Sequence, residues 1–507
     1  EKKVFYFEYS LSTQKLTELV GFKKPKRKPM WANISPDTNK IVFGRNYNLF
    51  MMDKSNYEKA LVNEDDSTIV ETQLTFDGAD NFSYHTQGTT NGSVENNEEK
   101  IKNRNKRKPV NILWSPNSAF FTMVRTDQRA VKDLWVINNV AQPRPTIETY
   151  KYWMPGEKEA PVEHLLLFTV ADKKMKTLPA FLFKDQTLSI WPAPQKVASR
   201  DDMLRFSQWL GNNDGFYFAR TSRDLKKIDI CYADIQQGTV KPIIEERFNT
   251  YIELRRLVLV NDGKELIHWS ERDGWGHFYL YGSDGTLKNQ ITTGAFHCED
   301  VIGVDEKKRV LYFEANGREA GEDPYYVHSY KVNLDGSGLQ LLNPGNFDHN
   351  SNFNDAKTFW VNNFSRVNTV PQSVLMNSDG KKLADLETAD LSALFAAGYQ
   401  FPQPFKVKAD DGITDLFGVM YKPFDFDSTK KYPIIEYVYP GPQTEQVNKA
   451  FSRGMDRVDR LAQLGTIVIS IGNRGGHPSR SKWYHNYGYG NLRNYGLADK
   501  KAAIEQL

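Results

Sequence analysis

The stretch YPIIEYVYPGPQTEQ, residues 432–446, carries an apolar strand up to an aromatic, Tyr439, and then breaks into the turn Pro440-Gly441-Pro442. A phenol fixed at a strand end can donate a hydrogen bond to an oxygen that gains charge as an acyl group is attacked. That chemistry is acyl transfer, and it needs a nucleophile. Nucleophilic serines of this kind stand on a tight strand-to-helix turn with the pattern Gly-x-Ser-x-Gly. The 507 residues contain no such pattern, and Ser283 in YGSDG sits one place out of register. His477 and His485 follow Tyr439 but come too early for a base that trails the serine in chain order, so both are expected in a surface loop. Two acidic pairs, Glu98-Glu99 and Glu245-Glu246, could face a cation, although each alone reads as an ordinary charged loop. By itself Tyr439 is an aromatic that fills a domain interface. Cys231 and Cys298 are read as two thiols, and no Cys/His cluster has zinc spacing. No metal or organic cofactor is expected.

Composition narrows the class. A 39% hydrophobic and 25% charged chain is ordinary for a globular protein, and 507 residues exceed one compact core. A net charge of +3 gives no reason to expect nucleic acid. No apolar run is long enough for a membrane-spanning helix. The 25 Tyr and 30 Phe favour β-structure.

The elements that would position these residues fall into two rhythms. From about residue 30 to 400, polar turns alternate with short apolar strands, starting at Ser35, Ser115, Leu210, Val260, Val304 and Phe353. The last four starts are about 45 to 50 residues apart, the period of a four-stranded propeller blade, and about eight such units fit. Two stretches interrupt the pattern. The one from Gly88 to Pro109, with both signs of charge, reads as a solvated loop. The Pro- and Tyr-rich one from Gln142 reads as an extended connection. After about Gln403 the order becomes strand, helix, strand, helix, as in a parallel sheet with crossovers. YPIIEYVYP and TIVISIGNRGG read as strands covered on both faces. Met455, Val458, Leu461, Ala462 and Leu464 form one helical face, and Ala503, Ile504 and Leu507 another. The expected architecture is an N-terminal β-propeller of about eight four-stranded blades, residues 1–402, followed by a truncated α/β-hydrolase domain, residues 403–507.

The order of these parts, with KKYPIIEYVYPGPQ, NRGG, YGLAD, SERDGWGHFYLY and ANGREAGEDPYY, resembles the dipeptidyl peptidase IV branch of the prolyl oligopeptidase (S9) serine peptidases. The resemblance covers nearly the whole chain. It implies a serine exopeptidase that removes dipeptides, usually Xaa-Pro, from peptides with a free N-terminus. It implies Tyr439 as the oxyanion donor. It also implies a propeller Glu pair that holds the substrate's ammonium. The candidate pair is Glu98-Glu99, before Trp114-Ser115-Pro116, although its flanks, VENNEEKIKN, lack the aromatics of the family motif. The Ser-Asp-His triad is then expected beyond Leu507, and the chain as it stands is expected to be inactive. A homodimer, formed mostly through hydrolase elements absent here, and a secreted or periplasmic location complete the expectation. Alternatives are a non-catalytic propeller binding protein with a degenerate hydrolase domain, and an oligopeptidase or acyl-peptide hydrolase needing no free amine.

Overall fold

The computed structural model describes residues 3–10, 12–22, 28–86, 95–191, 207–354, 356–439, 441–452 and 457–507. Residues 88–94 of the expected solvated loop, and Met455 of the expected helical face, lie outside them. The chain forms two compact units. One is drawn mainly from Glu1–Ile112 and Arg125–Pro161, the other from Leu113–Val124, Val162–Pro194 and Asp202–Leu507.

The first unit holds the four-stranded sheet of Asn33–Ile34, Lys40–Arg45, Asn48–Asp53 and Thr72–Gln73. Its core is Trp31, Ile41, Phe43 and Met52. Arg107 lies over the Trp31 ring at 5.1 Å and pairs with Glu71 at 2.7 Å. The expected loop before Pro109 carries a short helix instead, α1 (Asn97–Lys102). The sequence Asn96-x-x-Glu99 explains it. The Asn96 carboxamide accepts the Glu99 amide at 2.8 Å, and the Glu99 carboxylate accepts the Asn96 amide at 3.0 Å, a reciprocal cap. The Pro-rich connection is also more ordered than expected. Pro143 and Pro145 precede a strand, β2 (Thr146–Lys151), which among the described residues pairs only with β1 (Asp133–Asn138), in a two-stranded antiparallel ribbon.

In the second unit, antiparallel sheets pack face to face. The sheet of Val258–Val260, Glu265–Ser270, His277–Gly282 and Leu287–Gln290 is typical. Its first turn places Asn261, Asp262 and Gly263 at positive φ, where those residue types are tolerated. All six residues of Glu265–Ser270 are buried, because each face meets a neighbouring sheet. Leu266 joins Tyr217 and Ile230 of the preceding sheet. Ile267 and Trp269 join Phe313 of the following one, with Phe278 and Phe313 edge-on at 5.6 Å. Burial on both faces is why the central strands can carry Phe278, Tyr279, Tyr281, Tyr312 and Phe313, all buried. Among the described residues the whole chain shows six such four-stranded antiparallel sheets and two two-stranded ribbons. Cys231 and Cys298 are free, buried thiols.

The last sheet has another plan. It contains β3 (Gln403–Lys408), β4 (Asp415–Tyr421), β5 (Ile434–Glu436) and β6 (Ile467–Ile471), in the order β3-β4-β6-β5. β3 and β4 form a hairpin, β4 runs antiparallel to β6, and β5 runs parallel to β6. The crossover between β5 and β6 holds helix α2 (Arg457–Ala462), which buries Val458 and Ala462, and Gly465 at φ +90° follows it. Leu464 lies beyond the helix and is exposed, not on the expected face. β6 is covered as expected. β5 is not: it is the sheet edge, and Ile434 and Ile435 stand 44% and 37% exposed. An apolar run marks a strand made to be covered, and no described element lies against this edge.

Candidate active site

Tyr439 follows β5, three residues past its end, with its ring 46% exposed. The last ladder bond before it is from the Tyr437 amide to Ile469 at 2.8 Å. A Cβ at Gly441 would come within 3.2 Å of the Tyr439 ring, so the small residue leaves the ring its room. The Tyr439 hydroxyl has no hydrogen-bond partner among the described residues, which leaves the donor available.

The loop that follows is pinned at three points. Pro442 O lies 3.0 Å from His485 Nε2. The buried Glu445 carboxylate accepts the Tyr325 hydroxyl at 3.0 Å and the Tyr484 hydroxyl at 2.5 Å. Lys449 pairs with Asp323 at 2.7 Å and lies 4.5 Å from the Tyr325 ring centre. Burial pushes the Glu445 carboxyl up, while the two phenols and the nearby Lys449 and Arg480 pull the other way. Gly476 makes space for it, since a Cβ there would sit 2.9 Å from Glu445 Cγ. A loop fixed by buried charge and two phenols is a rigid mount for the residue that precedes it.

Below this loop is a cavity of about 220 Å³ lined by Glu299, Asp348, Glu445, Lys449, Tyr325 and His477 among others. Burial and the nearby Asp323 push the Asp348 carboxyl up to about 6. Burial, with Asp300, Glu299 and Asp348, pushes Glu314 up to about 7. Burial lowers the His477 imidazole to about 4, and it lowers that of His485 too. Both are half-buried packing groups, not members of an exposed surface loop. His477 lies against the Tyr325 ring at 5.0 Å and His485 against Tyr251 at 6.1 Å. Among the described residues no three His, Cys, Asp or Glu side chains converge as a metal site.

The motifs NRGG and YGLAD meet in one ion pair. Arg474 contacts Asp499 at 2.6 Å, and Asp499, wholly buried, also accepts the Arg474 amide at 2.9 Å and the Asp410 amide at 3.1 Å. Asp499 belongs to helix α4 (Leu497–Glu505), which follows α3 (Lys482–His485). The buried side of α4 is Asp499, Lys500 and Ala503, whereas the expected Ile504 and Leu507 are exposed. Polar anchors to the β3–β4 turn and to the loop after β6 override the apolar period there.

The two acidic pairs differ in their surroundings. Glu98 and Glu99 are both exposed on α1, and Glu99 is spent on the cap. Glu246 is buried against Arg272, Ser270 and His268; burial alone would raise its carboxyl, but these partners hold it low. Glu245 faces solvent and Arg247. Residue reasoning missed Glu445, Tyr325 and Tyr484, although Tyr325 lies in ANGREAGEDPYY and Glu445 just past KKYPIIEYVYPGPQ. The signal was the second glycine of NRGG, whose small size makes sense only once Glu445 is beside it.

The chain matches the family model described as "Dipeptidyl peptidase IV (DPP IV) N-terminal region" over residues 3–371. It is 25% identical over 526 aligned positions to dipeptidyl-aminopeptidase B of Aspergillus niger, covering 96% of this chain and 53% of that protein. It is 34% identical over 183 residues to human dipeptidyl peptidase 8, covering 34% of this chain and 20% of that one. Among solved structures, Porphyromonas gingivalis dipeptidyl peptidase 4 superposes with a TM-score of 0.72 at 24% identity, over 99% of this chain and 65% of that one. That likeness speaks to the fold, a propeller followed by part of an α/β-hydrolase domain. The chain spans about half the length of the curated fungal relatives it matches.

Proposed function

Because the chain belongs to the dipeptidyl peptidase IV branch of the prolyl oligopeptidase (S9) family, we propose that it is the propeller and leading hydrolase segment of a serine dipeptidyl peptidase acting on Xaa-Pro peptides. The observation that carries the reading is the order β3-β4-β6-β5, with β5 as a parallel edge and Tyr439 just beyond its end. A further parallel strand on that edge would bring a nucleophile's turn beside the phenol, since strand ends at one edge of an open α/β sheet share a crevice. In this reading Ser, Asp and His lie in sequence that follows Leu507, and the 507 residues alone do not hydrolyse substrate. The Ser attacks the scissile carbonyl with His as base, and Tyr439 donates to the oxyanion. Eight blades are part of the same reading, supported by the six four-stranded sheets and the Phe7–Ser10/Lys15–Glu18 ribbon. So is a secreted or periplasmic location.

Glu98 and Glu99 are the proposed ammonium anchor, and their state favours a second reading. Glu99 caps a helix and both carboxylates are exposed. An oligopeptidase that needs no free amine would use neither.

The test is hydrolysis of Xaa-Pro chromogenic peptides by the full-length protein. Turnover that requires a free N-terminus, drops roughly 10²–10³-fold in kcat with Tyr439→Phe, and shows a raised KM with Glu98→Gln and Glu99→Gln, supports the whole reading. Equal turnover of N-terminally blocked peptide supports the oligopeptidase. No turnover by the full-length protein leaves a binding protein.

A further inference from the structure

The loop after β5 rests on an acidic wall that peptide hydrolysis does not explain. The wall starts at a bulge. Where His297–Asp305 pairs with Val310–Asn316, Cys298 lies opposite Ala315 and Val301 opposite Phe313. Two residues, Glu299 and Asp300, therefore stand against one, Glu314. Asp348, the first residue of Asp348–Phe353, adds a further carboxylate whose field reaches Glu314. Glu299 and Asp348 line the cavity of about 220 Å³ together with Glu445 of the loop.

The positive groups around this wall are engaged elsewhere. Arg255 is shared among Glu253, Glu299 and Asp300 at 2.6, 3.3 and 3.5 Å. Lys449 pairs with Asp323 at 2.7 Å, and His328 Nε2 lies 2.8 Å from Glu322. Arg480 lies over the Tyr484 ring at 4.3 Å and acts on Glu445. Glu314 faces Glu299, Asp300 and Asp348, and no cation among the described residues. Carboxylates that share a buried site cannot all ionise cheaply. Burial, and then these acidic neighbours, hold the Glu314 carboxyl at about 7. Burial and Asp323 hold that of Asp348 at about 6, against the Val327 amide, Lys449 and His328.

One turn joins the wall to the loop. In Asp323–Val327, the Val327 amide donates to Asp348 at 3.1 Å, the Tyr325 hydroxyl donates to Glu445 at 3.0 Å, and Asp323 pairs with Lys449. The turn is thus tied to the blade through Asp348 and to the loop through Tyr325 and Asp323. We propose that Glu314 and Asp348 are a pH switch on this turn: protonated, they let it close on the loop after β5; ionised, their like charges around the cavity push it open. Both carboxyls titrate higher in the folded chain than in the unfolded one. The closed form is therefore fully favoured below their unfolded values and is lost as pH rises through the folded ones. The device is a property of the loop and stands whether or not Tyr439 meets an oxyanion.

The test is amide exchange of the 507-residue chain, followed peptide by peptide from about pH 5 to about pH 8.5 and corrected for the intrinsic rise of exchange with pH. Protection across Asp323–Val327 and Glu445–Lys449 should fall by about tenfold or more, the factor that one unit of pKa carries, while Glu265–Ser270 keeps its own. Asp348→Asn with Glu314→Gln leaves an acceptor for Val327 and removes both charges, so protection in the two segments should stay at its low-pH level throughout. Glu314→Gln alone leaves the carboxyl that titrates lower, and the fall should move to lower pH. A flat profile in the wild-type chain overturns the proposal. So does a fall that survives the double substitution, which would belong to His328 or Glu445. A fall that takes Glu265–Ser270 with it also overturns the proposal, because the whole unit is then unfolding.

Discussion

At the scale of single residues, two buried carboxylates show how environment decides a role. Asp499 is fully buried, yet it faces Arg474 and two backbone amides, so its charge is compensated on every side. Removing one partner of such a pair strands the other and typically costs roughly 3–5 kcal/mol. Asp499→Ala is expected to lower stability by about that amount in urea titration, and Arg474→Met with Asp499→Leu together by clearly less. Glu314 is the opposite case. Burial and the neighbouring Asp300, Glu299 and Asp348 move its carboxyl from 4.5 to about 7. The folded chain thus holds a proton that the unfolded chain releases near its ordinary value. Linkage makes stability full below the unfolded value and falling as pH climbs through the folded one. Glu314→Gln should match the wild type in thermal midpoint at about pH 4 and exceed it at about pH 8. Equal midpoints at both would show that the carboxyl is not held up.

Secondary elements were legible where one force dominated. The blade strands announced themselves because turn residues and alternation agree, as in VNDGKELIHWSE, where Asn261, Asp262 and Gly263 take the positive φ and Leu266 and Ile267 the two faces. β6 was legible from its continuous apolar run, which fits a strand covered on both faces. The reading failed where polar contacts outrank apolar period. Helix α4 is placed by Asp499 and Lys500, so the periodicity of Ala503, Ile504 and Leu507 points to the wrong face. It also failed where a cap hides in charge: Asn96 and Glu99 make a helix out of what composition alone calls a loop. At the candidate site, Tyr439 is a candidate that the sequence can offer, but the packing that mounts it is not. Glu445, Tyr325 and Tyr484 meet across 159 residues of chain, and only packing brings them together. An element-scale prediction follows from that mount. Gly476→Ala puts a methyl 2.9 Å from Glu445 Cγ, so it should loosen the loop after β5. Faster amide exchange at Glu445 to Val447, with β6 unchanged, is the expected reading. No change there would mean the loop is held from elsewhere.

At the scale of the molecule, the α/β sheet and the blades of the second unit share one core and do not stand as separate bodies. Val367, from the segment after the Phe359–Ser365 strand, packs with Val419, Tyr421, Val458, Ala462 and Val468 of the α/β layer. The Phe451 amide donates to Ser365 at 3.1 Å, the Asn316 carboxamide donates to Ser479 O at 2.7 Å, and Lys482 pairs with Glu271 at 2.7 Å. The buried Glu445 takes one hydroxyl from each side. Residues 403–507 alone would lose Val367 from their core and leave Glu445 and Lys482 short of partners, a cost of several kcal/mol against the ~5–15 kcal/mol that ordinarily separates folded from unfolded. The two layers are therefore expected to unfold as one cooperative step. In hydrogen exchange under rising denaturant, the amides of Val468 to Ile471 should lose protection together with those of Leu311 to Phe313. Glu445→Ala should split that step, exposing β6 at lower denaturant while the blade strands hold. If the two sets already part in the wild-type chain, the contacts through Val367 and Glu445 do not couple the layers, and the rigid mount for Tyr439 has to come from strands that pair with β5.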